Sequence, residues 1–195
     1  MARDRASRPG ARPLRLFVAL EIPQDVRELV DGAIAPIRDL HPRGRWVPTQ
    51  NQHVTLKFLG PTWPRLLGWV SEAVEGVARA SRPFSSRVEG FGAFPSWRRA
   101  RVLWAALNDA DGRMSALAEE LGRALAEEFA PERRAFTPHL TVARFDPPVE
   151  LDPEWARGRA PASAAFPVDR IVLFRSHLRR PAPVYEVVGE FPLGG

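Results

Sequence analysis

Two stretches of this 195-residue chain carry a histidine, a threonine two places on, and apolar residues between and after them. They are Gln52-His53-Val54-Thr55-Leu56-Lys57-Phe58-Leu59-Gly60 and Pro138-His139-Leu140-Thr141-Val142-Ala143-Arg144-Phe145. An imidazole titrates near about 6.5 and so serves as a base or an acid around neutrality. Two of them across one cleft can split the proton transfers of an in-line displacement at phosphorus. One takes a proton from the attacking water and the other gives a proton to the leaving oxygen. Threonine hydroxyls and a nearby cation would grip the non-bridging oxygens. The plain alternative is a pair of core histidines, each bonded to its neighbouring Thr.

Both runs are short, rich in β-branched and aromatic residues and bounded by Gly or Pro, which predicts strands. Strand side chains alternate, so His53 and Thr55 share one face and His139 and Thr141 do the same. By that parity Lys57 joins His53, and it is a candidate RNA contact. Arg144, five residues after His139, has the wrong parity in a regular strand, and a bulge near the strand end would be needed to re-aim it.

The elements around these strands follow from periodicity. Arg15 to Pro23 predicts a strand, and apolar residues at helical spacing predict a helix from about Gln24 to Leu40, with Pro36 kinking it or ending it early. A second helix covers Leu66 to Val77. Phe84 to Phe94 and Arg101 to Leu107 predict a hairpin about Pro95-Ser96-Trp97-Arg98-Arg99, and a third helix runs from Met114 toward Phe129, capped by Asp109 or Asp111. The second His strand ends at Phe145, before Pro147-Pro148. Residues 147–165 read as irregular with a helical turn near Trp155, and Phe166 to Leu178 pairs with Val184 to Phe191.

The order helix, His strand, connection and hairpin occurs twice, an internal duplication of elements. The expected fold is α+β: bilobal, two pseudo-symmetric antiparallel-sheet lobes with helices packed outside and a central cleft. Residues 1–14 read as a flexible Arg-rich tail and 15–195 as one bilobal domain.

Composition narrows the chemistry. There is no Cys, which removes disulfides, thiolate catalysis and Cys-based zinc sites. The net charge is +5 and Lys57 is the single lysine, a basic balance suited to an anionic partner such as RNA. Two His with Thr partners and no carboxylate cluster make a poor ligand set, so neither metal nor other cofactor is expected. No stretch suits a membrane span or a signal peptide, which implies a cytoplasmic chain, expected to be a monomer. Of the other histidines, His41 and His177 read as surface groups. Trp97, in a turn beside Arg98, is the better candidate for stacking on a base, whereas Phe17 and Trp104 read as core.

The paired motifs resemble those of the 2H phosphoesterase superfamily. More closely, Arg15-Leu16-Phe17-Val18-Ala19-Leu20, the run Asn51 to Gly60, Arg101-Val102-Leu103-Trp104 and Phe136 to Arg144 resemble the bacterial and archaeal RNA 2',3'-cyclic phosphodiesterases, or 2'-5' RNA ligases. The resemblance runs from about Arg15 to Phe191, departs modestly at Val142, where Leu or Ile is frequent, and leaves the Arg-rich tail and residues 147–165 without a matching motif. It implies a bilobal, metal-free enzyme that opens a terminal 2',3'-cyclic phosphate on RNA to a 2'-phosphate. It also implies His53 as proton donor, His139 as proton acceptor, and Thr55, Thr141 and Arg144 as phosphate ligands. From the residues alone the two histidines are interchangeable. An RNA-end-binding module without turnover, and 2'-5' ligation as the reverse reaction, are the alternative readings.

Overall fold

The structure is a computed structural model that describes residues 12–132 and 134–194. Residues 1–11 of the expected tail lie outside the described residues, and Leu14 already belongs to the first strand. The elements are β1 (Leu14–Glu21), α1 (Gln24–Leu40), β2 (Arg45–Trp46), β3 (His53–Thr62), α2 (Leu67–Ala80), β4 (Phe84–Ser86), β5 (Val88–Phe94), β6 (Ala100–Leu107), α3 (Arg113–Ala124), β7 (His139–Val149), α4 (Pro153–Gly158), β8 (Phe166–Val168), β9 (Arg170–His177) and β10 (Val184–Pro192).

The main sheet is antiparallel throughout, with strand order β10-β9-β1-β3-β7-β6-β5 and β2 beside β7. Its two halves are the expected lobes. They meet between β3 and β7 at one residue pair, Val54 opposite Leu140, each the residue after a motif histidine. Both are fully buried, so the histidines and threonines on either side of them project from the other face. An approximate twofold axis through that pair sets His53 and Thr55 against Thr141 and His139.

The back of the sheet is the core. Leu16, Val18, Leu20, Val54, Leu140 and Val142 pack there with Val26, Val30, Ile34 and Ile37 of α1, Val70 and Val74 of α2, and Met114, Leu117 and Leu121 of α3. Each such side chain stabilises the fold by about 1.5–3 kcal/mol. Asp109 caps α3 as expected, its carboxylate accepting from the N–H groups of Met114 and Ser115 at 2.8 and 3.0 Å. Among the described residues no helix is long and apolar enough to cross a membrane.

Four local expectations are corrected. α1 runs through Pro36 to Leu40, because the carbonyl that loses its donor belongs to Gly32, which faces solvent. α3 stops at Ala124, and turns rather than helix lead on to Phe129. β7 extends past its prolines to Val149: Val102 faces Arg144 and Ala100 faces Val149, so Pro147 and Pro148 bulge out of the ladder where no N–H is needed. The run from Phe84 is two strands, the first pairing with β8 and the second with β6.

Candidate active site

The two histidines are held in the same way. His53 Nδ1 lies 2.8 Å from the Asn51 carbonyl and His139 Nδ1 lies 2.7 Å from the Thr137 carbonyl. A carbonyl only accepts, so in the neutral ring Nδ1 carries the proton and Nε2 is the unprotonated position. His53 Nε2 accepts from the Thr55 hydroxyl at 3.1 Å. Both rings line one cleft of about 470 Å³ together with Thr55, Thr141, Arg144, Arg15, Phe58 and Tyr185.

The position of Arg144 comes from a pair of matched bulges. In β3, Val18 of β1 faces Lys57 and Ala19 faces Thr55, so Leu56 has no partner. In β7, Leu103 of β6 faces Ala143 and Trp104 faces Thr141, so Val142 has none. Each extra residue comes three places after the histidine and inverts the parity beyond it. The fourth residue, Lys57 or Ala143, therefore turns to the core, and the fifth, Phe58 or Arg144, turns to the cleft.

Lys57 is thus not an RNA contact. It is 2% exposed, on the far side of the sheet, where Nζ donates to the Ala130 carbonyl at 2.8 Å and approaches Glu132 at 3.8 Å. The same kind of bulge that defeats its regular parity brings Arg144 beside the histidines.

Aromatic rings fix both imidazoles from the side. Phe17 stacks on His53 at 4.7 Å, and Tyr185 meets it edge-on at 5.3 Å. Phe94 and Trp104 approach His139 edge-on at 5.4 and 6.0 Å. Phe17 and Trp104 therefore serve the cleft as well as the packing. Gly92 lies directly across from Trp104, whose indole occupies the space a Cβ would need.

Burial sets the protonation state. It pushes the His53 imidazole down to about 4, outweighing the Asn51 carbonyl, with His139 and Arg144 adding repulsion. His139 is lowered as well, by burial first and then by Arg144, against the pull of the Thr137 carbonyl. Tyr185 is raised, burial again being the main cause. The cleft by itself therefore holds neutral imidazoles beside the guanidinium groups of Arg15 and Arg144. Arg15 lies over the Phe58 ring at 4.7 Å. Among the described residues no carboxylate lines the cleft, and no cluster of three or more His, Cys, Asp or Glu could hold a metal ion. The cavity is suited to an anion with a phosphate-sized charge.

A family model described as the 2'-5' RNA ligase superfamily matches residues 23–180. The chain belongs to the 2'-5' RNA ligase superfamily. Among its curated relatives in the superfamily, the RNA 2',3'-cyclic phosphodiesterase of Thermus thermophilus is 34% identical over 193 residues, 93% of this chain and 91% of that one. The protein of the same name from Aquifex aeolicus is 30% identical, covering 93% and 98%. Another from Geobacillus stearothermophilus is 30% identical over 92% of this chain, which spans 57% of that longer protein. Among solved structures, TT0787 of Thermus thermophilus superposes with a TM-score of 0.75 at 30% identity, covering 93% of this chain and 99% of that one. E. coli LigT complexed with 3'-AMP gives 0.70 at 26% identity, covering 93% and 98%.

Within this superfamily fold the remaining sequence candidates fall away from the cleft. Trp97 packs against the core and its carbonyl accepts from the Leu151 N–H at 2.8 Å; Arg98 is exposed beside it, and neither lines the cavity. His177 is a surface group as expected, paired with Glu186 at 2.6 Å. Arg15, Phe58 and Tyr185 join the site without a signal in the sequence. Arg15 and Tyr185 reach the cleft only because β1, β9 and β10 flank β3, and Phe58 only through the bulge. No spacing along the chain announces them.

Proposed function

We propose that the chain is an RNA 2',3'-cyclic phosphodiesterase that works by two-histidine acid–base catalysis without a metal ion. The observation that carries this reading is the pair of Nδ1-anchored imidazoles, both lining one cavity that also holds Arg15 and Arg144. The names of the relatives support it.

In the proposed reaction the cyclic phosphate sits between the rings, its non-bridging oxygens held by Thr55, Thr141 and Arg144. His139 Nε2 takes a proton from water as the water oxygen bonds to phosphorus. The bond from phosphorus to the 3'-oxygen breaks, and that oxygen takes a proton from His53 Nε2. The product is a 2'-phosphate with a free 3'-hydroxyl. Each histidine ends in the protonation state of the other, and exchange with solvent resets them. The assignment of donor and acceptor follows the family resemblance. His53 needs its proton before it can give it, and the charge of the bound phosphate favours the imidazolium that the cleft by itself disfavours.

The family's ligase description supports a second use of the same groups, with an RNA 5'-hydroxyl in place of water. An oligoribonucleotide ending in a 2',3'-cyclic phosphate, incubated with the protein in EDTA, tests both. A 2'-phosphate product is expected, lost by about 10²–10⁴-fold in His53→Ala and in His139→Ala with folding retained. EDTA-sensitive turnover, or turnover that survives both substitutions, refutes the mechanism. RNA binding without any product would leave an end-binding module.

A further inference from the structure

The cleft continues beyond the histidines in two directions, and the two differ in charge. On one side a groove of about 610 Å³ shares Asn51, His53, Pro183 and Tyr185 with the cleft. Arg179 and Arg180 stand exposed at its rim, on the turn between β9 and β10, and Arg27 of α1 lines it. Arg27 is directed by a 3.4 Å bond to the Gln50 carbonyl, and among the described residues none of the three guanidinium groups meets a carboxylate. The acid in this groove, Glu21, is paired with Arg170 at 3.3 Å. Gln52 also lines the groove, 2% exposed, with its amide nitrogen and oxygen both unpartnered.

On the other side a cavity of about 760 Å³ shares Thr55, Phe58 and His139 with the cleft. Among the described residues its lining carries Arg123 and Arg134 beside Glu119 and Glu132, and Arg123 is already paired with Glu120. A chain of phosphodiesters is drawn to the first side, where unpaired guanidinium groups outnumber the acid, more than to the described lining of the second.

We propose that the groove under the β9–β10 turn holds the RNA immediately 5' of the cyclic-phosphate end, with Arg179 and Arg180 on its phosphates. The proposal rests on the cyclic phosphodiesterase reading and adds to it a direction for the strand and a preference for polymer over mononucleotide. The guanidinium groups supply the sequence-independent part of the affinity.

The test compares kcat/KM for a short oligoribonucleotide ending in 2',3'-cyclic phosphate with that for a nucleoside 2',3'-cyclic phosphate. Two single-strand phosphate contacts give a salt slope of about −1.4, so raising salt from about 50 to about 200 mM shrinks the polymer's advantage about sevenfold. In the double variant Arg179→Glu with Arg180→Glu, the ratio of polymer to mononucleotide is expected to fall about sevenfold or more at low salt, and its salt dependence to flatten. Arg134→Glu, in the cavity on the other side, is expected to leave the ratio unchanged. An unchanged ratio in the double variant, equal rates on both substrates in the wild type, or a ratio that falls instead with Arg134→Glu overturns the proposal while the enzymatic reading stands. Failure of the wild type to open either substrate removes that reading and this one with it.

Discussion

Replacing His53 by Gln should make the protein less sensitive to acid, although it removes a group from the cleft. A histidine whose folded-state pKa is depressed stabilises the fold only in its neutral form. Above about 6.5 both folded and unfolded chains are neutral there, and the contribution is complete. As pH falls below about 6.5 the unfolded chain takes up the proton first and stability is lost, until the folded chain also protonates near about 4. A fall from about 6.5 to about 4, at about 1.4 kcal/mol per tenfold, corresponds to about 3 kcal/mol lost across that window. Glutamine cannot take up a proton, and the loss of the 2.8 Å bond to the Asn51 carbonyl costs the same at either pH. Urea unfolding of both proteins at pH 7 and pH 4 measures the difference of differences, with the titration of groups remote from His53 cancelling. The wild type should lose about 3 kcal/mol more than His53→Gln. Parallel losses would refute the claim that burial controls this imidazole, and with it the view that the cleft keeps its imidazoles neutral until an anion arrives.

Three further outcomes are expected. Binding of inorganic phosphate near neutral pH should take up protons, because an anion between His53 and His139 opposes the burial that lowers both; calorimetry in two buffers of different ionisation enthalpy would show the uptake, and identical heats would count against it. Lys57→Met should cost about 1–3 kcal/mol by leaving the Ala130 carbonyl without its donor, yet leave RNA affinity unaltered, since the amine lies behind the sheet; a loss of RNA affinity with unchanged stability would return Lys57 to the cleft. Gly92→Ala should cost about 1–3 kcal/mol by overpacking and lower turnover, because the new methyl displaces the Trp104 indole from beside His139; chemical denaturation and single-turnover rates would read the two effects.

What can be read from the chain depends on whether a regular period holds. His53 with Thr55, and His139 with Thr141, obey the alternation of an undisturbed strand, and the structure sets each pair on one face as expected. Beyond Thr55 and Thr141 the period breaks, and Leu56 and Val142 give no sign of it, since a bulge residue on the core side looks like any other apolar strand residue. The regular reading therefore turns Lys57 outward and leaves Arg144 dependent on an irregularity. The helices are legible through their apolar stripes, and α1 outlasts Pro36 because of where its freed carbonyl points. Tyr185 is invisible because its neighbour His53 lies far away in the chain.

The pairing of β1 with β9 also bears on how the protein is made. A ribosome releases β1, α1 and β3 ahead of β5 to β10, and they can pair with one another at once. The outer edge of β1 has its partner only when residues 172–175 emerge, after the strands of the other half have been made. Until then the half that carries His53 keeps an unpaired edge, with Phe17 and Ala19 uncovered on one face. The half that carries His139 draws its neighbours β5 and β6 from nearby sequence and closes sooner. A truncated message would thus yield a chain with both histidines and no finished first half, a form prone to edge-to-edge association and open to quality control.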